Sequence, residues 1–383
     1  MSSAHRFPTL TIKLDHPLKP YTTFKVGGPA RLFIPVGSIE EIRFALAFEE
    51  EHKLPLFTLG GGSNILVSDR GFSGKVIHPA FKGICLAHED AETATLEVSA
   101  AETWDDVVRH AVEKGWWGIE NLSHIPGQAG AALVQNIGAY GQQVSDVVRS
   151  AQVVDTSTGA ARVLSAAECE FGYRRSIFNT SARGRFIIVQ ITLILNKSER
   201  PKLDYPDVRT YFQERGIQRP SLVEIRQAII SIRDRKFPFP REERGGNVGS
   251  FFKNLSLLES GYEALRAALR RNFSPQELSR LEEIRKRLSS GDRVKIPAAF
   301  LVEICGLKGH RIGGAQVNEA QPLVLLNQGG ATAQEVIALA AHVRKTVWAR
   351  TGLALALEPE LVGFTQKELS DLNNLEGSVT ERR

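Results

Sequence analysis

Residues 54–64 read LPLFTLGGGSN, an apolar strand that runs into three consecutive glycines, and the residues that follow, ILVS, are again strand-like. That order restricts the fold. Consecutive glycines can turn several backbone N–H groups toward one anion, but the dinucleotide fingerprint and the P-loop both need a helix next. Either a tight turn or a phosphate nest between strands is left. A second loop, PGQAGAALVQNIGAYG at 126–141, repeats the pattern with small residues, amides and a tyrosine. So many flexible residues are costly to order, and the cost is recovered where backbone approaches a ligand closely. Turn formation explains either loop alone; two in one region favour a nucleotide carrying a pyrophosphate.

The remaining pattern is α+β. RLFIPV (31–36) predicts a strand, and Ser38 with Glu41 caps a helix with apolar positions Ile42, Leu46 and Phe48. Short strands follow in KVIHP and TLEVSA, and Thr103 with Asp106 opens a helix through Val107, Val108, Ala111 and Val112. Residues 151–195 read mostly as strand, whereas 199–246 carry charges and prolines around one helix after Ser221, so a domain boundary is expected near residue 200. Helices are predicted over 257–272 and 276–288, and another from the Thr332–Glu335 cap to about 350. LALALEPELVGF (353–364) reads as a strand and the tail from Thr365 as frayed.

With 383 residues, two or three domains are expected. The 48 basic and 43 acidic residues are interspersed, and the runs Arg241–Arg244 and Arg266–Arg271 read as solvated faces, which does not suggest a nucleic-acid partner. Cys85, Cys169 and Cys305 lack metal or disulfide spacing, and no apolar run is long enough to span a bilayer. These features suggest a cytoplasmic protein without metal or membrane.

Chemistry is suggested in three further segments. GGNVGSFFKN (245–254) sets Ser250, Lys253 and Asn254 in a glycine-loosened turn, which is either an entry to an apolar strand or a ligand loop. In FGYRRSIF (171–178), Arg174 is either a surface ion-pair partner or a fixed cation for a carboxylate. LEPE places Glu358 and Glu360 on one face of the expected strand, either exposed or partly buried. His124 reads as a packed or surface residue, since no second ligand stands at metal spacing.

Seven segments in order, YTTFKVGGPA (21–30), LGGGSNILVSDRGFSG (59–74), IPGQAGAALVQNIGAYG (125–141), YRRSIF (173–178), GNVGSFFKN (246–254), LKGHRIGGAQV (307–317) and LEPE (357–360), closely resemble the UDP-N-acetylenolpyruvoylglucosamine reductases. These flavoenzymes make UDP-N-acetylmuramate for the bacterial cell wall. The resemblance implies an FAD-binding domain of the vanillyl-alcohol-oxidase type, with α+β subdomains at about 20–82 and 83–200, completed by 353–366. It further implies an α+β substrate domain over 201–352, flexible termini at 1–19 and 367–383, and a monomer.

By motif, Gly60, Gly61, Gly62, Ser63, Asn64, Ile125, Pro126, Gly127, Gly130, Gln135, Asn136, Gly138, Ala139 and Tyr140 would hold FAD. Ser250 would be the proton donor, Glu360 a second acid and Arg174 the cation beside the substrate carboxylate. Tyr173, Tyr205, Lys236, Lys253, Asn254 and Gln321 match substrate-binding positions, and NADPH is the implied reductant. Tyr205 and the 199–246 segment look like the subtype with a tyrosine-bearing substrate loop. Asn179, Leu133 and Leu255 depart from the family pattern, which has lysine, proline and proline there.

Overall fold

The computed structural model describes residues 10–48, 54–237, 239 and 245–374. Strands and helices are mixed in the α+β manner expected, and the chain forms two compact units. One comprises Met1–Pro17, Pro29–Gly62 and Phe72–Arg235; the other comprises Leu18–Gly28, Ser63–Gly71 and Lys236–Arg383.

In the first unit a four-stranded sheet has the order Lys13–Pro17, Pro29–Val36, Phe72–Pro79, Leu56–Thr58. The last three run parallel, and Ile34, Val36 and Ile77 are fully buried with Ile42 and Ala45 of helix α1 (Ile39–Ala47). The Ser38 hydroxyl accepts the Glu41 N–H at 3.1 Å, as the cap pattern predicted. Phe48 lies just past the helix and is exposed. A five-stranded antiparallel sheet follows, ordered Ala161–Ser165, Val148–Asp155, Phe186–Asn196, Thr93–Ser99, Ile84–Glu89. Helix α2 (Trp104–Glu113) buries Trp104, Val107, Val108 and Ala111 in its core.

Helices α3 (Ala129–Val134) and α4 (Pro206–Gln213) add to the elements expected from the sequence. Glycine and alanine mask α3, and Pro206 occupies the first turn of α4, where it has no N–H to lose. Helix α5 (Leu222–Lys236) follows the Ser221 cap. Val208, Phe212, Ile225, Ile229 and Ile232 of α4 and α5 share the hydrophobic cluster of Trp104 and Val107. Residues 201–235 therefore belong to the first unit, not to a domain beginning near 200, because their apolar stripe is buried in its core.

The second unit contains α6 (Glu259–Asn272), α7 (Pro275–Leu288), α8 (Ala298–Ile304), α9 (Ala333–Thr351) and α10 (Ser370–Asn373). Thr332 and Glu335 form the expected reciprocal cap of α9, and the Asp69 carboxylate also accepts the Ala333 and Gln334 N–H groups at 2.8 and 3.0 Å. Of LALALEPELVGF only Glu360–Val362 is a strand, parallel to Ile65–Val67. The preceding stretch follows Phe251–Lys253 through an isolated bridge, and Pro359 has no N–H for a ladder. Residues 353–366 thus lie in the second unit.

Both termini are more ordered than expected: Lys13–Pro17 is a paired strand, and the tail is folded as far as Asn374. The Glu368 carboxylate accepts the Thr365 N–H and hydroxyl at 2.7 and 2.6 Å, the Ser68 hydroxyl at 3.0 Å, and a 2.7 Å bond from Arg70. The tail beyond 374, the first nine residues and the Arg241–Arg244 run lie outside the described residues.

The Thr365 bonds, then Ser68 and Arg70, pull the Glu368 pKa down to about 2, overcoming the opposing effect of burial. A depressed carboxylate pKa contributes stability above the unfolded value and loses it as pH falls toward the folded one. Glu368→Gln should therefore lower urea-unfolding stability at pH 7 by about 1 kcal/mol. The two proteins should converge between the ordinary value of 4.5 and about 2.

Candidate active site

In the first unit the two glycine loops meet backbone to backbone. A Cβ on Gly61 would fall 2.7 Å from the Gly127 Cα, and one on Gly60 would fall 3.2 Å from the Ala131 Cβ. Among the described residues, the N–H groups of Gly60, Gly61, Gly127 and Gln128 donate to no protein group. Gly62 and Gly127 have φ of +59° and +119°. Four uncommitted N–H donors beside a bare backbone surface suit an anionic ligand such as a pyrophosphate. The residues fit the phosphate portion of FAD.

Other residues expected at the cofactor build the loop. Gly130 packs against Ala100, where a Cβ would come within 2.6 Å. Asn136 is buried at φ +47°; its amide donates to the Gly172 carbonyl at 3.1 Å and its carbonyl accepts the Ser145 N–H at 3.0 Å. Ile125 packs against the core, Gln135 ends α3, and Gly138–Ala139 pairs with Gln142–Gln143. Pro126 leads into the close contact at Gly127.

Arg174 bonds to the same loop. Its Nη1 donates to the Gly138 carbonyl at 3.1 Å, and its backbone lies at φ +52° within a Gly172–Arg175 turn. Asn179 holds this turn: its amide donates to the Arg174 carbonyl at 3.1 Å and its carbonyl accepts the Ser176 N–H at 2.9 Å. The departure at 179 thus has a structural role suited to a short amide. Leu133 is simply core, and Leu255 pairs with Ile296 in a strand. Tyr173 is exposed, with its ring centroid 5.6 Å from the Arg174 guanidinium carbon.

Tyr140 meets Tyr205 edge to face, with centroids 5.2 Å apart. Burial pushes the Tyr140 phenol up to about 12 against the attraction of Arg233, so it stays protonated at neutral pH. Beneath it, the Asn121 amide donates to the Tyr140 and Lys202 carbonyls, both at 2.8 Å, tying the Tyr205 segment to the loop. The fully buried Glu120 accepts from the Gly118 N–H and the Gln142 amide at 2.7 Å each; burial raises its pKa above the usual range. Neither Asn121 nor Glu120 was singled out from sequence, because buried polar pairing has no local signature.

In the second unit, the turn around Ser250 is fixed through glycine contacts. A Cβ on Gly246 would meet the Thr23 carbonyl oxygen at 2.3 Å. The Thr23 hydroxyl donates to the Asn247 carbonyl at 2.7 Å, and the Asn247 side chain accepts the Gly249 N–H at 2.9 Å. Ser250 bridges to Val324, just after Gln321, whose carbonyl accepts the Val324 N–H at 2.9 Å. Lys253 N–H donates to the Ala356 carbonyl, and Glu358 N–H donates to the Phe251 carbonyl, both at 2.9 Å. The LEPE segment therefore runs beside Ser250–Lys253.

Asn64 joins this assembly: its amide donates to the Glu358 carbonyl at 3.2 Å, and its own carbonyl accepts the Glu360 N–H at 3.0 Å. Ser63 and Asn64 belong to this second unit, whereas the three glycines before them belong to the first. Glu358 and Glu360 are both half-buried. The Asn254 side chain accepts the Ala298 N–H at 3.0 Å, and the Lys236 carbonyl accepts the Asn318 amide at 2.9 Å. Among the described residues, the Ser250 hydroxyl and Lys253 ammonium have no protein partner, although both residues are half-buried. Arg174, Tyr173 and Tyr205 lie in the first unit, and Ser250, Lys253, Asn254, Gln321, Lys236 and Glu360 in the second.

Residues 30–165 match an FAD-binding domain family, which covers both glycine loops and defines the chain as a flavin-binding protein. Residues 240–362 match the C-terminal domain of UDP-N-acetylenolpyruvoylglucosamine reductase. Proteins named UDP-N-acetylenolpyruvoylglucosamine reductase from Chromobacterium violaceum and Flavobacterium johnsoniae are 38% and 36% identical over 92% of this chain, covering 99% and 100% of their own lengths. The crystal structure of the UDP-N-acetylenolpyruvylglucosamine reductase from Thermus caldophilus aligns with a TM-score of 0.62 at 25% identity, over 92% of this chain and 99% of that one. The chain belongs to the UDP-N-acetylenolpyruvoylglucosamine reductase family. It is an FAD-dependent oxidoreductase of peptidoglycan precursor synthesis.

Adding a methyl group to Gly61 would force the two loops apart at backbone. Gly61→Ala should keep the circular dichroism spectrum of the apo-protein but weaken FAD binding by about tenfold or more. Fluorescence titration of the apo-protein with FAD measures the effect.

Proposed function

We propose that the protein reduces UDP-N-acetylglucosamine enolpyruvate to UDP-N-acetylmuramate with NADPH, acting as a cytoplasmic monomer. The observation that carries this reading is the GGNVGSFFKN turn, which holds a half-buried serine hydroxyl and a half-buried ammonium without partners among the described residues in a chain of this family.

Held at the glycine loops, FAD would supply hydride-transfer chemistry between NADPH and the enolpyruvyl group. The protein's own residues manage the charge and the proton. Hydride addition at C3 places a pair of electrons on C2, delocalised into the carboxylate. The Arg174 guanidinium, oriented through the Gly138 carbonyl, is the cation for that carboxylate. Ser250 then protonates C2: a hydroxyl is a weak acid, and the enolate is basic enough to take its proton. Glu360 serves as a second acid at the reacting group. Lys253, Asn254, Lys236, Gln321, Tyr173 and Tyr205 bind the UDP-sugar, with Lys253 and Lys236 as cations for its diphosphate.

The purified protein should be yellow, bleach with NADPH and regain its colour on adding the enolpyruvyl substrate; a colourless protein, or no recovery with substrate, would sink the proposal. Ser250→Ala should leave reduction by NADPH within a few-fold of wild type and slow reoxidation by substrate by about 10²- to 10⁴-fold. Stopped-flow absorbance resolves the two half-reactions.

A further inference from the structure

The residue before the Ile125-Pro126-Gly127 segment is held unusually firmly. His124 is a non-glycine residue at φ +60°, in the left-handed region that costs such residues about 1 kcal/mol or more. Its N–H donates to Asp105 Oδ1 at 2.5 Å, its carbonyl accepts from Arg233 Nε at 2.8 Å, and its ring Nε2 lies 2.9 Å from Asp234 Oδ1. Asp105 is gripped in turn by both terminal nitrogens of Arg226 at 2.7 and 2.8 Å. Burial works against ionisation of Asp105, but the Arg226 guanidinium and the His124 N–H outweigh it and hold the carboxyl below its ordinary range. Both backbone groups and the side chain of one strained residue are thus fixed by one residue of α2 and two of α5.

We infer that Asp105, Arg226, Arg233 and Asp234 form a positioning clamp that presents the Gly127 and Gln128 N–H groups to the flavin phosphates. The physical need is specific. His124 sets the direction in which the chain enters Gly127, and Gly127 lies against Gly61 with no room for a methyl group. A rotation at His124 would therefore disturb the whole donor set. Arg233 also hydrogen-bonds the Tyr140 phenol, so α5 reaches both ends of the second glycine loop. The clamp's members are spread over two helices of different sequence regions.

This inference rests on the flavin-binding reading, and apo-protein titrated with FAD separates the two. If wild type does not bind FAD, that reading fails. If wild type binds, Asp105→Ala should raise the FAD dissociation constant about tenfold and speed amide hydrogen exchange at 124–128 in the apo-protein. Asp105→Asn keeps a carbonyl acceptor for the His124 N–H and should stay within about threefold of wild type. Asp234→Ala, at an exposed residue, tests the clamp without endangering the fold and should weaken FAD binding about threefold. Unchanged FAD affinity in both alanine variants, whether or not their melting temperatures fall, would reduce the cluster to helix packing and overturn the inference.

Discussion

The contact between Gly61 and Gly127 is the constraint on which the first unit's ligand site depends. Two loops about 65 residues apart in the chain approach so closely that any side chain at position 61 would enter the other backbone. Close approach exposes peptide groups rather than side chains, and it leaves four N–H donors without acceptors among the described residues. A folded protein ordinarily satisfies such groups, so a cluster of uncommitted donors is informative. The anionic cofactor of this family supplies what the protein leaves open.

Much of the surrounding structure serves to hold backbone where it would not otherwise stay. His124, Asn136, Tyr140 and Arg174 all have positive φ without being glycine. Their strain is offset by specific bonds: Asp105, Arg233 and Asp234 around His124, Gly172 and Ser145 around Asn136, and Asn179 around Arg174. The second unit uses the same device at its own turn, where Gly246 packs on the Thr23 carbonyl and the Asn247 side chain caps Gly249. Glycine allows the approach, and short polar side chains make it permanent.

Long periodic elements were readable in advance. The caps at Ser38 and Thr332 and the buried stripe of α2 form as their residues indicate, because each is a local interaction repeated at helical spacing. Elsewhere distant contacts override local signals. Residues 201–235 bury their apolar side against Trp104 and its neighbours. The tail from Thr365 folds because Glu368 finds Ser68 and Arg70, about 300 positions away in the chain. A polar tail has no sequence mark that such partners exist.

By itself the sequence determined the α+β class, the two glycine loops, and the motif set that resembles the reductase family. These depend on residue type and order, which dictate backbone freedom, capping and periodicity. Only the tertiary structure decided that the loops touch at Gly61 and Gly127, that Asn179 replaces a longer side chain by bracing the Arg174 turn, and that LEPE runs along Ser250–Lys253. The clamp on His124 belongs to the same class: it joins Asp105 to residues more than 100 positions later. Such pairings are set by how the core packs, since burial forces polar groups to find partners wherever the fold brings them, and a single chain read in order cannot show which these will be.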